Sequence, residues 1–442
     1  MTVCKLGGVL CASLVLAVIG FVLVPAPAEA QTSRGLPACD PDNGGLILPA
    51  GFCALVVADG LEGARHLDVT ADGDIYVHLR GSRGGDPNPP GGGVVALRDA
   101  DGDGRAEVVQ RFSDHYGTGL QLRGDYLYLS TTTEVYRYLM TPGELVPRGE
   151  PELIVSGFPE QRGHAAKAFA FDESDNLYVN VGAPSNVCME NRRPGSPGQE
   201  PCLQRVRQAS VWRFDANRAG QTQEADGHQF VTGTRNIVAI GWDPATQAIY
   251  AAQHGRDAVN TLWPDHYNED ANAELPSEEL FRLTAGTDFG WPYCYHDRFQ
   301  GKMVLAPEYG GDGREVGRCA DVGQPLVAFP AHWAPNDLLF YDGQQYPARF
   351  RDGVFVVFHG SWNRAPLEQG GYQVAFAPRA DGEFTGRYET FAAGFALTSP
   401  LLSPQDAVQR PVGIAQGPDG SLYVTADVGG KVWRIVYSGE RE

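Results

Sequence analysis

The 442-residue chain carries a formal net charge of −19 and a hydrophobic fraction of 43%, apolar material enough for one large domain or two ordinary ones. So acidic a chain repels phosphate backbones and anionic membrane surfaces, which excludes nucleic acid as a partner in the absence of a dense basic patch. Any anionic ligand must be held by locally concentrated cations.

The N-terminus reads as an export signal. Lys5 gives a positive start, an apolar run extends from Leu6 to Val24, and "PAPAEA" ends in the small-x-small pattern of Ala28 and Ala30, predicting cleavage before Gln31. The alternative is an uncleaved membrane anchor, since the run approaches spanning length. The reading divides the chain into a signal (1–30), an N-terminal extension (31–50) and a main domain (51–442), periplasmic or secreted, with no stable membrane insertion after cleavage. Once Cys4 and Cys11 leave with the signal, Cys39, Cys53, Cys188, Cys202, Cys294 and Cys319 remain as three sequence-local pairs. In an exported chain these predict three disulfides, each stapling a loop, although six cysteines allow about 15 connectivities.

Along the main domain one theme recurs: an apolar strand, a turn rich in Asp, Gly or Asn, and a second strand carrying an aromatic. Its six copies are "HLDVTADGDIYVHL", "LQLRGDYLYLS", "AFAFDESDNLYVNVG", "VAIGWDPATQAIYAAQ", "FYDGQQYPARFRDGVFVVFHG" and "VGIAQGPDGSLYVTAD". The turns supply residues that tolerate positive φ and the flanks prefer a pleated, half-buried surface, so each copy is a predicted hairpin. Further strand-like pieces ("GVVALRDADGDG", "TEVYRYLM", "ASVWRFDAN", "GKVWRIVY") follow most copies. A four-stranded unit repeated six times with uneven loops describes an all-β, six-bladed β-propeller, with the largest insertions after the third, fourth and fifth copies. In "DADGDGRAE", Asp99, Asp101 and Asp103 resemble the start of a calcium loop, but the closing glutamate of an EF-hand falls at Gln110 and strands flank the run. A structural calcium loop and a plain hairpin turn both remain open there.

Inner strands of a propeller meet near the axis, so equivalent positions in different blades converge. Just before those strands stand Arg65 and His66, His164 and Lys167, Arg235 and Asn236, and Arg410. A solvated rim also tolerates charge, but it does not predict mostly cations in so acidic a chain; a converging anion site does.

At these residues the sequence resembles a known family. "GHAAKAFAF…NLYVNVGAPSNVC", "GTRNIVAIGWDP…QHGRD", "LPSEELFRLTAGTDFGWPYCY", "FHGSWNR" with "GGYQV", and "RPVGIAQGPDGSLYVTAD" are similar to the soluble pyrroloquinoline-quinone-dependent sugar dehydrogenases, particularly the sorbosone dehydrogenase-like branch. The resemblance runs from about Gly51 to Tyr437. It implies a six-bladed propeller with the quinone on a calcium ion at the top of the central channel and a sugar as substrate. By motif position His164 is the general base, taking a hydroxyl proton while hydride passes to the quinone C5, and Arg235 polarises the adjacent quinone carbonyl. Lys167, Asn236, Arg364 and Arg410 fall where the family grips the cofactor, and His254, in an "HG" pair at a strand end, reads as a contact to the quinone or substrate or as a structural histidine. Gly255 and Arg256 of "HGRD" inherit the main-chain calcium ligands, with Asp257 either coordinating or supporting them from behind. An external quinone, cytochrome or dye is the implied electron acceptor.

The chemistry agrees with those roles. Histidine titrates closest to working pH, an arginine and a divalent ion stabilise developing oxyanion charge, and calcium accepts backbone carbonyls. One position departs: where the glucose-oxidising branch has an aspartate that orients the histidine, this chain has Ala183, with Ser185 and Asn186 as the nearby candidates to replace it. His359 reads as a structural histidine, Trp291 as loop packing, and Glu278 as either a metal-side carboxylate or an ordinary acidic residue. Two other functions compete with the dehydrogenase. A non-catalytic binding propeller needs no base beside an anion clamp, and a calcium-dependent lactonase wants axial carboxylates where cations dominate.

Overall fold

In the computed structural model described here, residues 36–81 and 93–439 are placed, and they belong to one unit, Leu36–Glu442. The signal-like segment, with Lys5, Leu6 to Val24, Ala28 and Ala30, lies outside the described residues.

Six antiparallel sheets form the blades of a β-propeller. From the inner strand outward, blade 1 is Ala64–Val69, Ile75–Leu79, Val94–Arg98 and Val108–Phe112, and blade 2 is Leu120–Arg123, Tyr126–Ser130, Val135–Leu139 and Glu152–Ser156. Blade 3 is Phe169–Phe171, Asn176–Val181, Ser210–Asp215 and His228–Thr232, and blade 4 is Ile237–Asp243, Ala248–Gln253, Glu278–Leu283 and Val327–Phe329. Blade 5 is Pro335–Leu339, Gly353–Phe358, Gln373–Ala380 and Glu389–Ala392. Blade 6 takes Pro411–Gln416, Leu422–Ala426 and Val432–Tyr437 from the C-terminal end and Phe52–Ala58 from the N-terminal end. That last strand pairs Phe52 with Tyr437 and Cys53 with Val436, closing the ring by a long-range ladder.

Period-two alternation explains the packing. Successive side chains of a strand face opposite neighbours, so each blade shares one apolar layer with the blade before it and another with the blade after. Val94, Ala96, Leu127 and Leu129 pack between blades 1 and 2, and Phe171, Leu177, Val135 and Ile154 between blades 2 and 3. Phe52, Phe355, Phe376, Phe391 and Trp433 fill the aromatic layer between blades 5 and 6. The strands read as near-continuous hydrophobic runs because both faces are covered.

Five of the six hairpins lie where their sequences predict, and the fifth needs a correction. Its first strand is Pro335–Leu339, just ahead of the quoted stretch, and "YDGQQYPARF" is a long turn containing a short helix at Ala348–Arg351. Asn336 and Asp337 disguise that strand, yet both are buried, and Asp337 accepts the N–H groups of Leu338 and Ile414.

The three disulfides join Cys39 to Cys53, Cys188 to Cys202, and Cys294 to Cys319. The first pins the N-terminal extension to the ring-closing strand; the other two brace the insertions of blades 3 and 4. Register shifts occur near the start of the inner strands of blades 1, 4, 5 and 6, at Ala64/Leu67, Ile237/Ala239, Pro335/Asp337 and Pro411/Ile414. Such bulges release backbone from the ladder and re-aim side chains, here beside the candidate residues.

Candidate active site

His164 lies in the loop that leads from blade 2 to the inner strand of blade 3. Its Nδ1 lies 2.6 Å from the carbonyl oxygen of Ala183. A carbonyl only accepts, so Nδ1 carries the proton and Nε2 keeps its lone pair. Burial, reinforced by the Arg235 guanidinium and opposed by the Ala183 hydrogen bond, pushes the imidazole down to about 3. The ring is thus neutral through the physiological range. The same Ala183 donates its N–H to the Arg235 carbonyl at 2.7 Å, so one residue's backbone ties the histidine to the arginine. The position that lacks an aspartate side chain supplies its backbone instead, and Ser185 and Asn186 do other work.

Asn186 organises the arginine. Its Oδ1 accepts from Arg235 Nη2 at 2.9 Å and from the Asp257 N–H at 2.9 Å, and its Nδ2 donates to the Asp257 carbonyl at 2.8 Å. Arg235 closes the group with a 2.8 Å ion pair to Asp257. Burial raises the Asp257 carboxyl, but Arg235, with His332 and Asn363, overrides it and holds the group well below the ordinary range. Asp257, considered as a calcium ligand, is in this structure the arginine's counter-ion. Behind the pair, Gln253 accepts the Arg235 N–H at 2.9 Å and donates to Glu279 at 2.5 Å. Trp291 is buried and donates its Nε1–H to the Asn186 carbonyl, which fixes the loop.

Asn236 is buried, and its Oδ1 has no partner among the described residues. Gly182 lies between it and the base: a Cβ built on that glycine would sit 2.8 Å from His164 Cβ and 3.4 Å from Asn236 Oδ1. Lys167 is fully buried; its Nζ donates to the Ala165 carbonyl, and burial pushes its pKa down to about 7.

The other candidates divide. His254 is half-buried and gives Nε2 to the Pro335 carbonyl, as His66 does to Asn336, so both anchor the inner strand of blade 5. The carbonyl oxygens of Gly255 and Arg256 accept no hydrogen bond among the described residues, whereas the Arg256 side chain is locked in a buried bidentate pair with Glu308. Glu278 holds the N–H groups of Gly255 and Ala334. Arg364 spends its guanidinium on Glu274 and the carbonyls of Ala273 and Ala331, and it is the neighbouring Asn363 that reaches Asp257, at 2.8 Å. Arg410 bonds the carbonyls of His359, Gly360 and Ser361. His359 in turn meets Asp427, a buried carboxylate that also pairs with Arg80 at 2.8 Å and Arg65 at 3.6 Å. The axis is therefore less purely cationic than the sequence implies. Sequence reasoning passes over Asp427, whose only signal is the acid that ends "VTAD", and over Arg80, at the end of the first hairpin.

Beside the His164 loop opens a cleft of about 750 Å³ lined by Arg80, Thr118, Thr131, Arg162, Ala165 and Ala166 among others. A buried lysine whose ammonium meets only a carbonyl, together with a fixed arginine, can offset the charge of an anionic ligand, while the Asn236 oxygen can accept a hydrogen bond from a donor group. The free carbonyls of Gly255 and Arg256 suit a hard cation. Elsewhere, Asp99, Asp101, Asp103 and Glu107 lie close enough together to hold a cation, but Asp99 accepts the N–H groups of Gly102 and Gly104, and Asp101 that of Asp103, as in an ordinary turn.

Comparison with known proteins fits this geometry. The TrAA12-like family model matches residues 46–438. A protein of Borreliella burgdorferi without an assigned function is 28% identical over 280 residues, 62% of this chain and 61% of that protein. A pyrroloquinoline quinone-dependent pyranose dehydrogenase of Coprinopsis cinerea is 26% identical over 297 residues, 59% of this chain and 38% of that protein. The match thus spans less than two thirds of either relative. Among solved structures, the holo form of the pyranose dehydrogenase PQQ domain from Coprinopsis cinerea superposes with a TM-score of 0.71 at 21% identity, covering 88% of this chain and 97% of that domain.

Proposed function

The chain belongs to the TrAA12-like family, and from that premise we propose that it is an exported oxidoreductase of sugars. It oxidises an aldose, a sugar aldehyde or a related polyol, with pyrroloquinoline quinone as redox cofactor, Ca²⁺ beside it and an external electron acceptor. The cofactor and substrate class come from the fungal relative's name. The observation that supports them is a neutral imidazole with a free Nε2 held next to a fixed guanidinium.

When bound, the quinone supplies the acceptor for the hydride that leaves the sugar carbon. His164 Nε2 takes the hydroxyl proton; its lowered pKa in the free protein keeps the ring unprotonated at working pH, at the cost of a weaker base than an ordinary imidazole. Arg235, pre-oriented by Asp257 and Asn186, offsets negative charge that develops during the reaction without reorganising. Lys167 gives a buried positive charge to a carboxylate, and Asn236 lends a polar group to the cofactor's edge. The Gly255 and Arg256 carbonyls hold the calcium. Three disulfides suit an oxidising compartment, and among the described residues no helix is long and apolar enough to cross a membrane.

The test is reconstitution of the purified apoprotein with pyrroloquinoline quinone and calcium, followed by dye reduction with a panel of aldoses and polyols. Sugar-dependent reduction is expected. Absence of quinone binding together with absence of reduction overturns the reading.

A further inference from the structure

His164 adopts φ 51°, in the left-handed region that non-glycine residues seldom occupy, and it lies outside any strand ladder. A side chain there stays put only if its surroundings over-determine it. The surroundings converge on one amide. Gln161 directs Nε2 at three carbonyls: Gly163 at 2.8 Å, His164 itself at 2.9 Å and Gly182 at 3.0 Å. Two N–H groups serve three acceptors, so one is shared. Its Oε1 accepts from Gln208 Nε2 at 2.8 Å, which fixes which end of the amide faces the carbonyls. Gly182 directly precedes Ala183, the residue whose carbonyl takes the Nδ1 proton, and a Cβ at Gly182 would lie 2.7 Å from the His164 carbonyl oxygen. The His164 loop therefore sits flush on the end of the second strand of blade 3.

We infer that Gln161, set by Gln208, is the positioning residue for His164. It staples the loop carrying the imidazole to the segment carrying its orienting carbonyl, and so selects the Nδ1–H tautomer that leaves Nε2 free. This role rests on the reading of His164 as a proton acceptor. The acceptor of the Nδ1 proton is the Ala183 carbonyl and not a carboxylate side chain. Because a carbonyl is uncharged, it fixes the ring without adding the electrostatic pull of a carboxylate that would raise its basicity.

The test is ring-nitrogen NMR of histidine-labelled apoprotein, with His164→Gln assigning the signal, on wild type and on Gln161→Leu. Wild type should show a single neutral Nδ1–H tautomer for His164 at pH 7. Gln161→Leu should show a mixture or the Nε2–H form at a melting temperature within a few degrees of wild type. In the reconstituted enzyme the same variant should lose at least about 10-fold in kcat with KM and quinone affinity little changed. If Gln161→Leu fails to fold, Gln208→Leu, which removes only the bond orienting the amide, carries the same readouts. A folded variant that keeps the wild-type tautomer and kcat overturns the inference. A wild-type protein that oxidises no sugar, with the tautomer change still seen, leaves the positioning role standing and removes the sugar-oxidising reading instead.

Discussion

Lys167→Met isolates the charge from the stem of a buried lysine. Burial alone lowers the lysine from 10.5 to about 7, a shift that at about 1.4 kcal/mol per pKa unit corresponds to an ionisation cost on the order of 5 kcal/mol in the free protein. The sign follows from linkage. Below about pH 7 the ammonium is charged in both folded and unfolded chains and the cost is felt in full. As pH rises from about 7 towards 10.5, the folded lysine is neutral while the unfolded one still binds its proton, so stability recovers. Methionine keeps the volume and removes the cost, so the apoprotein variant should melt at a higher temperature than wild type at neutral pH, with the gap narrowing towards pH 10. If the lysine is there to meet a carboxylate, the same variant should bind pyrroloquinoline quinone at least about 10-fold more weakly, because a charge-assisted hydrogen bond is lost. Calorimetry with and without cofactor, plus a fluorescence titration of the apoprotein, reads both effects. A variant that is less stable and binds the quinone normally would make Lys167 a structural residue with no role toward a carboxylate.

Further outcomes follow from the same geometry. Asp257→Asn leaves Arg235 without its counter-ion and should lower kcat at least about 10-fold while costing roughly 2–4 kcal/mol of stability, read by turnover and urea unfolding. A ring-nitrogen NMR titration of the apoprotein should show no protonation of His164 near pH 6.5, because burial and the Arg235 guanidinium push it down to about 3; a transition at 6.5 would mean that the ring is solvated or paired with a carboxylate. The apoprotein should lose stability as pH falls from 6.5 towards 4, since His66, His78 and His359, which are buried, and the half-buried His254 have pKa values lowered to about 3 to 4 while their unfolded counterparts take up protons, an effect thermal unfolding across that range measures. Chelation of calcium from the reconstituted protein should release the quinone, detected as free cofactor after gel filtration, and re-addition should restore binding.

Hairpins were legible because their signals are local: an alternating strand, a turn with Asp or Gly, and a second strand. The strand that closes the ring was not, because Phe52–Ala58 pairs with Val432–Tyr437 across nearly the whole chain and no local residue announces it. The fifth hairpin was misplaced for the opposite reason, since its inner strand carries Asn336 and Asp337, polar residues whose burial only the tertiary structure reveals. At the site, charged side chains before the inner strands were readable, as His164 and Arg235 show. What holds them was not: the Ala183 carbonyl has no side-chain signature, and the Gln161 amide looks like any polar loop residue. Asn363 was not legible either, since nothing in the motif beside Arg364 announces its contact with Asp257.

Removal of hydride and a proton from a sugar by this propeller is read out by anaerobic mixing. The protein is loaded with pyrroloquinoline quinone and calcium, excess sugar is added without any dye, and the absorbance of the bound cofactor is followed. At least one aldose should convert the whole of the bound cofactor to its reduced spectrum in wild type, at a rate slowed at least about 100-fold by His164→Ala. A cofactor that binds yet keeps its oxidised spectrum with every sugar, or a His164→Ala protein that reacts as fast as wild type, would contradict it.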